Sequence, residues 1–417
     1  MLVLGCAWGQ VALAETEEKE LSLDGAIQEA LTNNLQLIAQ RLQVSVAEAR
    51  EITARLRPNP VLTVSGQTLD LLGAKYVPTT PFGPNQFNVH TEFPIERGRK
   101  RAERIGLAKE EKTLAEIGVR EATRGTIAVV QSAFVDVQQA KADLKLAREN
   151  LDRLESLVKI NEARLAAGDL AQVELDRSKV AALQYRASVQ QAELRLDQAK
   201  LDLLQAMGRK DRTLNFDVAE DIRREVLTDT PQTLLSAALE RRPDYLGSKQ
   251  EQARSEADLR LQLANGKVDY SVGTEFTRQM AYGIGGNSLG LYFSMPLPVF
   301  NRNQGEIARA QREIRMNGAR RNALEAQIGS EVEKSYRQYS VARHLLESVE
   351  SEMLAKAKSV RDTTEYSYRR GEASLVEFLD AQRAFNDAMQ TFNAARADYA
   401  RSLYQLDTVT AATVAGK

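Results

Sequence analysis

Two acidic residues near the carboxyl end of the chain, Glu377 and Asp380, have the spacing of a paired, cation-attracting site. They stand three residues apart in a stretch without proline, so a helix would present both carboxylates on one face. Two carboxylates on one face attract cations and repel anions. The alternative is that both are ordinary solvated carboxylates on an exposed helix.

Residues suited to tight metal binding or catalysis are scarce. The histidines are His90 and His344, and their spacing matches no zinc or copper motif. Gly283, Gly285 and Gly286 lie between two predicted strands, the sequence shows no phosphate-cradling loop, and it contains no nucleophile elbow. The sequence therefore predicts a protein that is not an enzyme, with no cofactor and no resident metal.

The composition argues against a nucleic-acid-binding protein and against a protein with a transmembrane helix. The 417 residues carry 56 Lys and Arg against 57 Asp and Glu, which gives a net charge of −1. Because the two signs are mixed along the chain, no nucleic-acid surface is expected. No run reaches 18 consecutive apolar residues, so no transmembrane helix is predicted.

Residues 1–14 resemble the end of a secretory signal peptide. Ala12 and Ala14 precede Glu15 in a pattern that signal peptidase cleaves after Ala14. The string ending at Cys6 also resembles a lipoprotein box, in which Cys6 would be acylated. Cleavage after Ala14 leaves a chain without cysteine, which suits an oxidising envelope compartment.

The prolines divide the chain into long segments. All ten lie in 58–94 and 231–298, and none lies in 95–230 or 299–417. Proline in a helix interior costs about 3 kcal/mol or more. These two proline-free segments, rich in Ala, Leu, Glu, Gln, Lys and Arg, therefore predict very long helices.

Apolar residues recur every seven positions along four lines, the pattern of packed helices with a left-handed supercoil. The first line, Val130 to Leu165, aligns with the second at an offset of 202 residues. Gly168 aligns with Gly371 at an offset of 203. Paired lines predict a tandem duplication rather than chance spacing in alanine-rich helices. The second line comprises Val332, Tyr339, Leu346, Met353 and Val360.

Each predicted repeat holds two strands and two long helices, joined by a linker over 209–242 that contains a short helix at about 232–241. The first repeat is 21–208, with a helix at 22–57, strands at about 61–70 and 86–94, and helices at 97–166 and 170–207. The second repeat is 243–410, with a helix at 243–265, strands at about 268–277 and 288–297, and helices at 303–369 and 373–408.

The predicted strands alternate apolar and polar residues, as Phe87, Val89 and Phe93 show. Such alternation suits an antiparallel sheet or a membrane barrel. Four strands cannot close a barrel, and open sheet edges are not tolerated in lipid, so several chains must pool their strands. The helix at 97–166 would span roughly 100 Å. A β-barrel continued by a helical tube is the expected architecture.

The chain resembles the TolC-type outer-membrane efflux proteins over about residues 21–410. The resemblance rests on the strings at 22–26, 57–60, 241–244 and 368–371. It implies a fold that is mostly α with a small β part. It also implies a homotrimer with a 12-stranded outer-membrane β-barrel and a long α-helical periplasmic tunnel. Such trimers sit in outer-membrane lipid and dock on an inner-membrane RND pump through a periplasmic adaptor protein.

A narrower resemblance is to the heavy-metal branch, the cobalt–zinc–cadmium and copper–silver resistance ducts. It rests on the strings at 93–100 and 295–305. It implies that heavy-metal cations are the cargo. Two alternatives stay open: a drug or protein-export duct of the same fold, and a soluble periplasmic coiled-coil scaffold.

The resemblance also implies roles for residues at the two helix turns. Glu377 and Asp380 would form an acidic ring of six carboxylates at the periplasmic aperture. Glu174 would tie the first turn to Tyr368 and hold the aperture closed, so that Tyr368→Phe with Glu174→Ala would make the duct leaky. The expected adaptor-docking residues are Gly168, Leu170, Ala171, Gly371, Ala373 and Ser374.

Overall fold

The computed structural model describes residues 20–67, 85–219, 221–281 and 284–412. Two compact units divide the chain. We name them the helix-turn unit, with residues up to Ile38, Ala122–Ala238 and Gly329 onwards, and the sheet unit, with Ala39–Glu121 and Leu239–Ile328. The predicted signal peptide 1–14, including Cys6, and the end of the strand predicted at 61–70 lie outside the described residues.

Helices make up most of the described chain, as predicted. Their long segments coincide with the proline-free stretches, while Pro231 and Pro243 each occupy a first helical position, where proline is tolerated. The helices are α1 (Leu23–Asn33), α2 (Leu35–Arg55), α3 (Lys100–Ala166), α4 (Gln172–Met207), α5 (Pro231–Arg241), α6 (Pro243–Asn265), α7 (Gln304–Ser348), α8 (Leu354–Arg370) and α9 (Leu375–Thr410), with a π-helix (Val349–Met353) between α7 and α8.

The single helix predicted at 22–57 is wrong, because Asn34 divides it into α1 and α2. The Asn34 side-chain oxygen accepts hydrogen bonds from the backbone N–H groups of Gln36 and Leu37, at 3.0 and 3.2 Å. Its side-chain nitrogen donates to the carbonyl of Ala206 at 3.2 Å. Asparagine competes with the helical backbone in this way and favours caps over helix interiors.

The sheet unit contains an antiparallel sheet of four strands, in the order β2 (Val61–Gln67), β3 (Asn85–Ile95), β5 (Tyr270–Ala281) and β6 (Ile284–Ser294). Val89 of β3, for example, pairs with Val64 of β2 and Phe276 of β5. A short parallel pair, β1 (Glu20–Leu21) with β4 (Asp217–Val218), is an addition that the sequence did not predict.

The four-stranded sheet turns an apolar face to the outside. Its register aligns this face across all four strands, and Leu291 on it is 92% exposed. The opposite face carries polar residues such as Asn88, His90 and Glu275. A soluble sheet buries its apolar face, so the arrangement is inverted here. The exposed apolar residues are Leu62, Val64, Phe87, Val89, Phe93, Val272, Phe276, Leu289, Leu291 and Phe293.

Close backbone approach requires glycine at position 273. A Cβ on Gly273 would lie 2.0 Å from the carbonyl oxygen of Thr91, a backbone atom that cannot move aside. We expect Gly273→Ala to destabilise the sheet by about 1–3 kcal/mol, as overpacking does. The measurement is the midpoint of thermal unfolding. Gly290→Ala is the matched control, because its nearest neighbour, the carbonyl of Glu275, lies at 3.8 Å; equal midpoints for the two variants would contradict the argument.

The second line of apolar residues leaves the core part-way along its helix. Val332, Tyr339 and Leu346 are buried, but Met353 and Val360 are 37% and 54% exposed. The buried side continues instead at Arg361 and Tyr368, 15 and 22 residues after Leu346 rather than 14 and 21. The π-helix causes this shift, because each i→i+5 turn takes up one more residue than an α-helical turn. The sequence pattern could not show where that residue is absorbed.

Candidate functional site at the helix turns

The helix-turn unit contains the two turns that the sequence analysis singled out, and both end their helices in the same way. Gly168 and Gly371 have φ of +83° and +80°, a left-handed conformation that favours glycine. The backbone N–H of Gly371 donates to the carbonyl of Tyr368, and that of Glu372 donates to Ser367. Gly168 and Asp169 make the equivalent bonds to Leu165 and Arg164. Each turn is a Schellman-type cap.

The side chain of Glu377 takes part in the cap at the beginning of α9. The Ser374 hydroxyl accepts a hydrogen bond from the Glu377 N–H, and the Glu377 carboxylate accepts one from the Ser374 N–H at 2.7 Å. This reciprocal pair is a capping box. The Ser374 backbone N–H and hydroxyl stabilise the charged carboxylate, so they hold the pKa of Glu377 below its ordinary value. Glu377 therefore has a structural role in addition to the expected aperture role.

Asp380 lies one turn further along α9 and is exposed. Its carboxylate is 3.4 Å from a guanidinium nitrogen of Arg383, a long contact between two exposed side chains. Such a surface pair contributes little to stability. Both predicted acidic residues are thus exposed within the first two turns of α9.

Tyr368 is the buried residue of the second turn, and its partner is not the predicted one. Its hydroxyl donates to the side-chain oxygen of Asn161 at 2.8 Å, and its ring stacks on Phe378 at 5.7 Å. Within this chain the Tyr368 hydroxyl therefore bonds Asn161 rather than Glu174, although the negative charge of Glu174 acts on Tyr368, and the expected tie to Glu174 in the assembled duct stays a prediction. Burial is the main reason that the pKa of Tyr368 is raised. Asn161 joins the two turns through a neutral hydrogen bond.

Amide side chains continue this contact along the bundle. Gln382 of α9 donates to Asn150 of α3 at 2.9 Å, and Asn150 donates to Asn386 at 2.8 Å. Further along, Asn393 donates to the carboxylate of Asp143 at 2.8 Å, and burial raises the pKa of Asp143. Buried amides of this kind fix the register of α3 against α9, because a slip would leave them unpaired.

Sequence reasoning missed Asn161 and Arg361. Arg361 is 4% exposed, and its guanidinium lies 3.7 Å from the centre of the Phe385 ring. Phe378 and Phe385 belong to the fourth apolar heptad line, which gave a signal for their burial and continues through Phe392, Tyr399 and Leu406. Asn161 had no such signal, because a polar residue in a helical pattern is normally assigned to the solvent face.

The residues expected to dock an adaptor lie at the two turns, with different exposure. Ala171 and Ser374 are exposed and are the N-cap residues of α4 and α9, respectively. Leu170 and Ala373 are half-buried. Ala373 packs against the cluster that contains Tyr368 and Phe378. That they dock an adaptor stays a prediction.

Neither histidine contributes to this site. The ring of His90 meets Tyr292 edge-on at 4.6 Å on the polar face of the sheet, and His344 is an exposed residue of α7. Among residues 20–67, 85–219, 221–281 and 284–412, no three His, Cys, Asp or Glu side chains are grouped as a metal site. In the same described ranges, no helix has both the length and the apolarity to span a membrane.

Comparisons with known proteins agree with this description. Residues 26–209 and 234–412 match the sequence profile of the family described as outer membrane efflux protein. The cobalt-zinc-cadmium resistance protein CzcC of Cupriavidus metallidurans is 26% identical over 88% of this chain and 84% of its own. The pyoverdine export outer membrane protein OpmQ of Pseudomonas aeruginosa is 25% identical over 92% and 84%. The solved structure of CusC, 17% identical, superimposes with a TM-score of 0.75 over 93% of this chain and 91% of its own.

Proposed function

The chain belongs to the outer membrane efflux protein family, and we propose that it is the outer-membrane exit duct of a tripartite efflux system, a conduit rather than an enzyme. The protein resides in the outer membrane with an extension into the periplasm. The proposal rests on the inverted sheet, in which one face is apolar and exposed and the opposite face carries polar residues. A lipid-facing barrel wall has this arrangement.

The sheet supports a barrel pooled from several copies. β2 and β6 are its edge strands, each paired on one side only among the described strands. An unpaired edge in lipid is costly, because its backbone groups have no water to bind. We propose that β6 of one copy pairs with β2 of the next, so that three copies close a 12-stranded barrel.

An exposed apolar line on α4 supports the same assembly in the helix-turn unit. Val173, Val180, Ala187, Leu194 and Leu201 recur every seven residues and are all exposed. Such a line on one helix normally packs against another helix. We propose that a second copy covers it and that three copies enclose the periplasmic tunnel.

We propose divalent heavy-metal cations as the cargo. The proposal is supported by the likeness to CzcC and by the exposed carboxylates of Glu377 and Asp380. Six such carboxylates around one aperture would attract cations. The likeness to OpmQ supports a second candidate, a metal-chelating organic molecule. The expected partners are an inner-membrane RND pump and a periplasmic adaptor that docks at the turns containing Gly168 and Gly371.

Deletion of the gene tests the cargo. If the duct exports metal cations, the deletion strain should become sensitive to zinc, cobalt or cadmium, and the cloned gene should restore resistance. Restoration by Gly273→Ala should be weaker than by Gly290→Ala. Unchanged metal tolerance together with defective export of a siderophore would favour the second candidate. A protein released from the envelope without detergent would instead favour a periplasmic scaffold.

The lowered pKa of Glu377 leads to a pH prediction. A carboxyl whose pKa is depressed stays charged as the pH falls and loses its charge only below its folded value. Block of the channel by cobalt in planar bilayers should therefore be nearly constant from about pH 8 to about pH 5, above the ordinary carboxyl range. Ser374→Ala removes one stabilising group, so it should move the loss of block to higher pH. A block that fades near neutral pH in the parent would contradict the prediction.

A further inference from the structure

We infer that α8 can bury either of two faces. Conversion of the π-helix (Val349–Met353) to α-helix would exchange these faces by rotating α8, and this exchange opens and closes the duct at the turn that contains Gly371. The inference rests on the proposed function as an exit duct. The π-helix is defined by the N–H of Leu354, which donates to the carbonyl of Val349, five residues back. It takes up one residue more than an α-helical turn would.

The extra residue determines which side of α8 is buried. Tyr339 and Leu346 lead the buried line into the π-helix, and Arg361 and Tyr368 continue it on the far side. If the π-helix became α-helical, α8 would rotate by about 100°, the angle of one residue. The buried line would then run through Met353 and Val360, and Tyr368 would leave the core.

The alternative face has the composition of a core face. Met353 and Val360 are apolar and exposed, and they lie at the positions that the uninterrupted heptad predicts. Ser367 follows them at the next position. An apolar pair that solvent contacts in one state stabilises the other state when it is buried there.

Burial of the α8 face that contains Arg361 and Tyr368 costs more free energy than burial of an apolar face would. Arg361 is almost fully buried, and its guanidinium bonds to its neighbour Asp362 and lies over the Phe385 ring. The side-chain nitrogen of Asn161 has no hydrogen-bond partner among the described residues. Burying a charge or leaving a buried donor unpaired costs free energy. These costs offset the exposure of Met353 and Val360 in the present state, so the two states of α8 can be close in free energy, as a switch requires.

Side-chain contacts hold α7, the helix before the π-helix, against α9. Tyr339 of α7 stacks on Tyr399 of α9 at 5.7 Å. The linker crosses both helices, since the Tyr339 hydroxyl accepts from the N–H of Leu227 and the Tyr399 hydroxyl donates to the carbonyl of Glu225. Arg224 reaches Glu350 inside the π-helix at 2.9 Å. Rotation would therefore be confined to α8, beyond this clamp.

Deletion of Ser351 tests the inference. Ser351 is exposed, and among the described residues its hydroxyl donates to the carbonyl of Glu347 in the turn before it. Without the extra residue, a regular α-helix keeps Leu354, Arg361 and Tyr368 on the buried side, and the other face is no longer accessible. We expect trimers like those of the parent, a channel fixed at low conductance, and export reduced by about tenfold or more. Ser351→Ala keeps the chain length and should behave as the parent.

The outcomes separate the inference from the proposed function. Deletion of Glu352 removes the extra residue in the same way and should repeat the result. A deletion variant that opens and exports like the parent would overturn the inference, and so would one that fails to fold, because the deletion is expected to preserve the buried face. A parent protein that forms no channel would refute the proposed function, and the inference with it.

Discussion

Neutralising Glu377 and Asp380, the two carboxylates that we propose for the aperture, by Glu377→Gln with Asp380→Asn, should weaken block of the channel by cobalt or zinc by about tenfold or more. A cleft lined by charges of one sign raises the local counter-ion concentration by about 10- to 1,000-fold. Both side chains are exposed at the beginning of α9, so their charges face solvent rather than a buried partner. Single-channel conductance measured against divalent cation concentration gives the result.

The design of this variant preserves the fold. Gln can replace Glu in a capping box, so Glu377→Gln keeps the cap on α9 that Ser374 completes. Asp387→Asn is the control; it removes one carboxylate charge per chain, against two in the double variant, at an exposed position about two turns beyond Asp380 on α9. Equal loss of block in the control and in the aperture variant would show that the aperture carboxylates have no special role.

Removal of the Tyr368 hydroxyl, by Tyr368→Phe, should make the closed duct leaky. The change leaves the side-chain oxygen of Asn161 buried without its donor, which costs about 1–3 kcal/mol. A free energy of that size shifts a closed–open equilibrium by about 5- to 150-fold. Leakage should appear as higher resting conductance in planar bilayers and as sensitivity of cells to large antibiotics.

A double-mutant cycle identifies the partner of Tyr368. Asn161→Leu alone should also cause leakage, whereas Tyr368→Phe with Asn161→Leu should leak less than either single variant, because two apolar groups leave nothing unpaired. Glu174→Ala should have a small effect, since Glu174 acts on Tyr368 only through its charge. If Glu174→Ala leaked as much as Tyr368→Phe, and the two did not add, the predicted tie to Glu174 would be confirmed for the assembled duct.

The long helices and the sheet could be predicted because their signals are local. Proline placement located α3, α4 and α9, and alternation located β3 and β5. The second heptad line is buried at Val332, Tyr339 and Leu346, as its spacing predicted. The prediction failed at Met353 and Val360, because the π-helix shifts the buried side by one residue. A periodic pattern does not contain the position of that shift.

The site was predicted less completely, for a different reason. Gly168 and Gly371 were identifiable because few other residues accept a positive φ at a helix end. The partner of Tyr368 was not, because a hydrogen bond between residues 207 positions apart depends on how two helices face each other. The implied partner Glu174 is near enough to influence Tyr368 electrostatically, yet Asn161 makes the bond.

Native mass and shape of the protein extracted from outer membranes in detergent, determined by mass photometry and negative-stain imaging, test the central proposal most directly. An exit duct predicts elongated trimers with a detergent-coated end, because the exposed apolar face of the sheet needs lipid and its edge strands need partners. Monomeric rods that leave the envelope without detergent would contradict it, and the periplasmic scaffold would then be the better account.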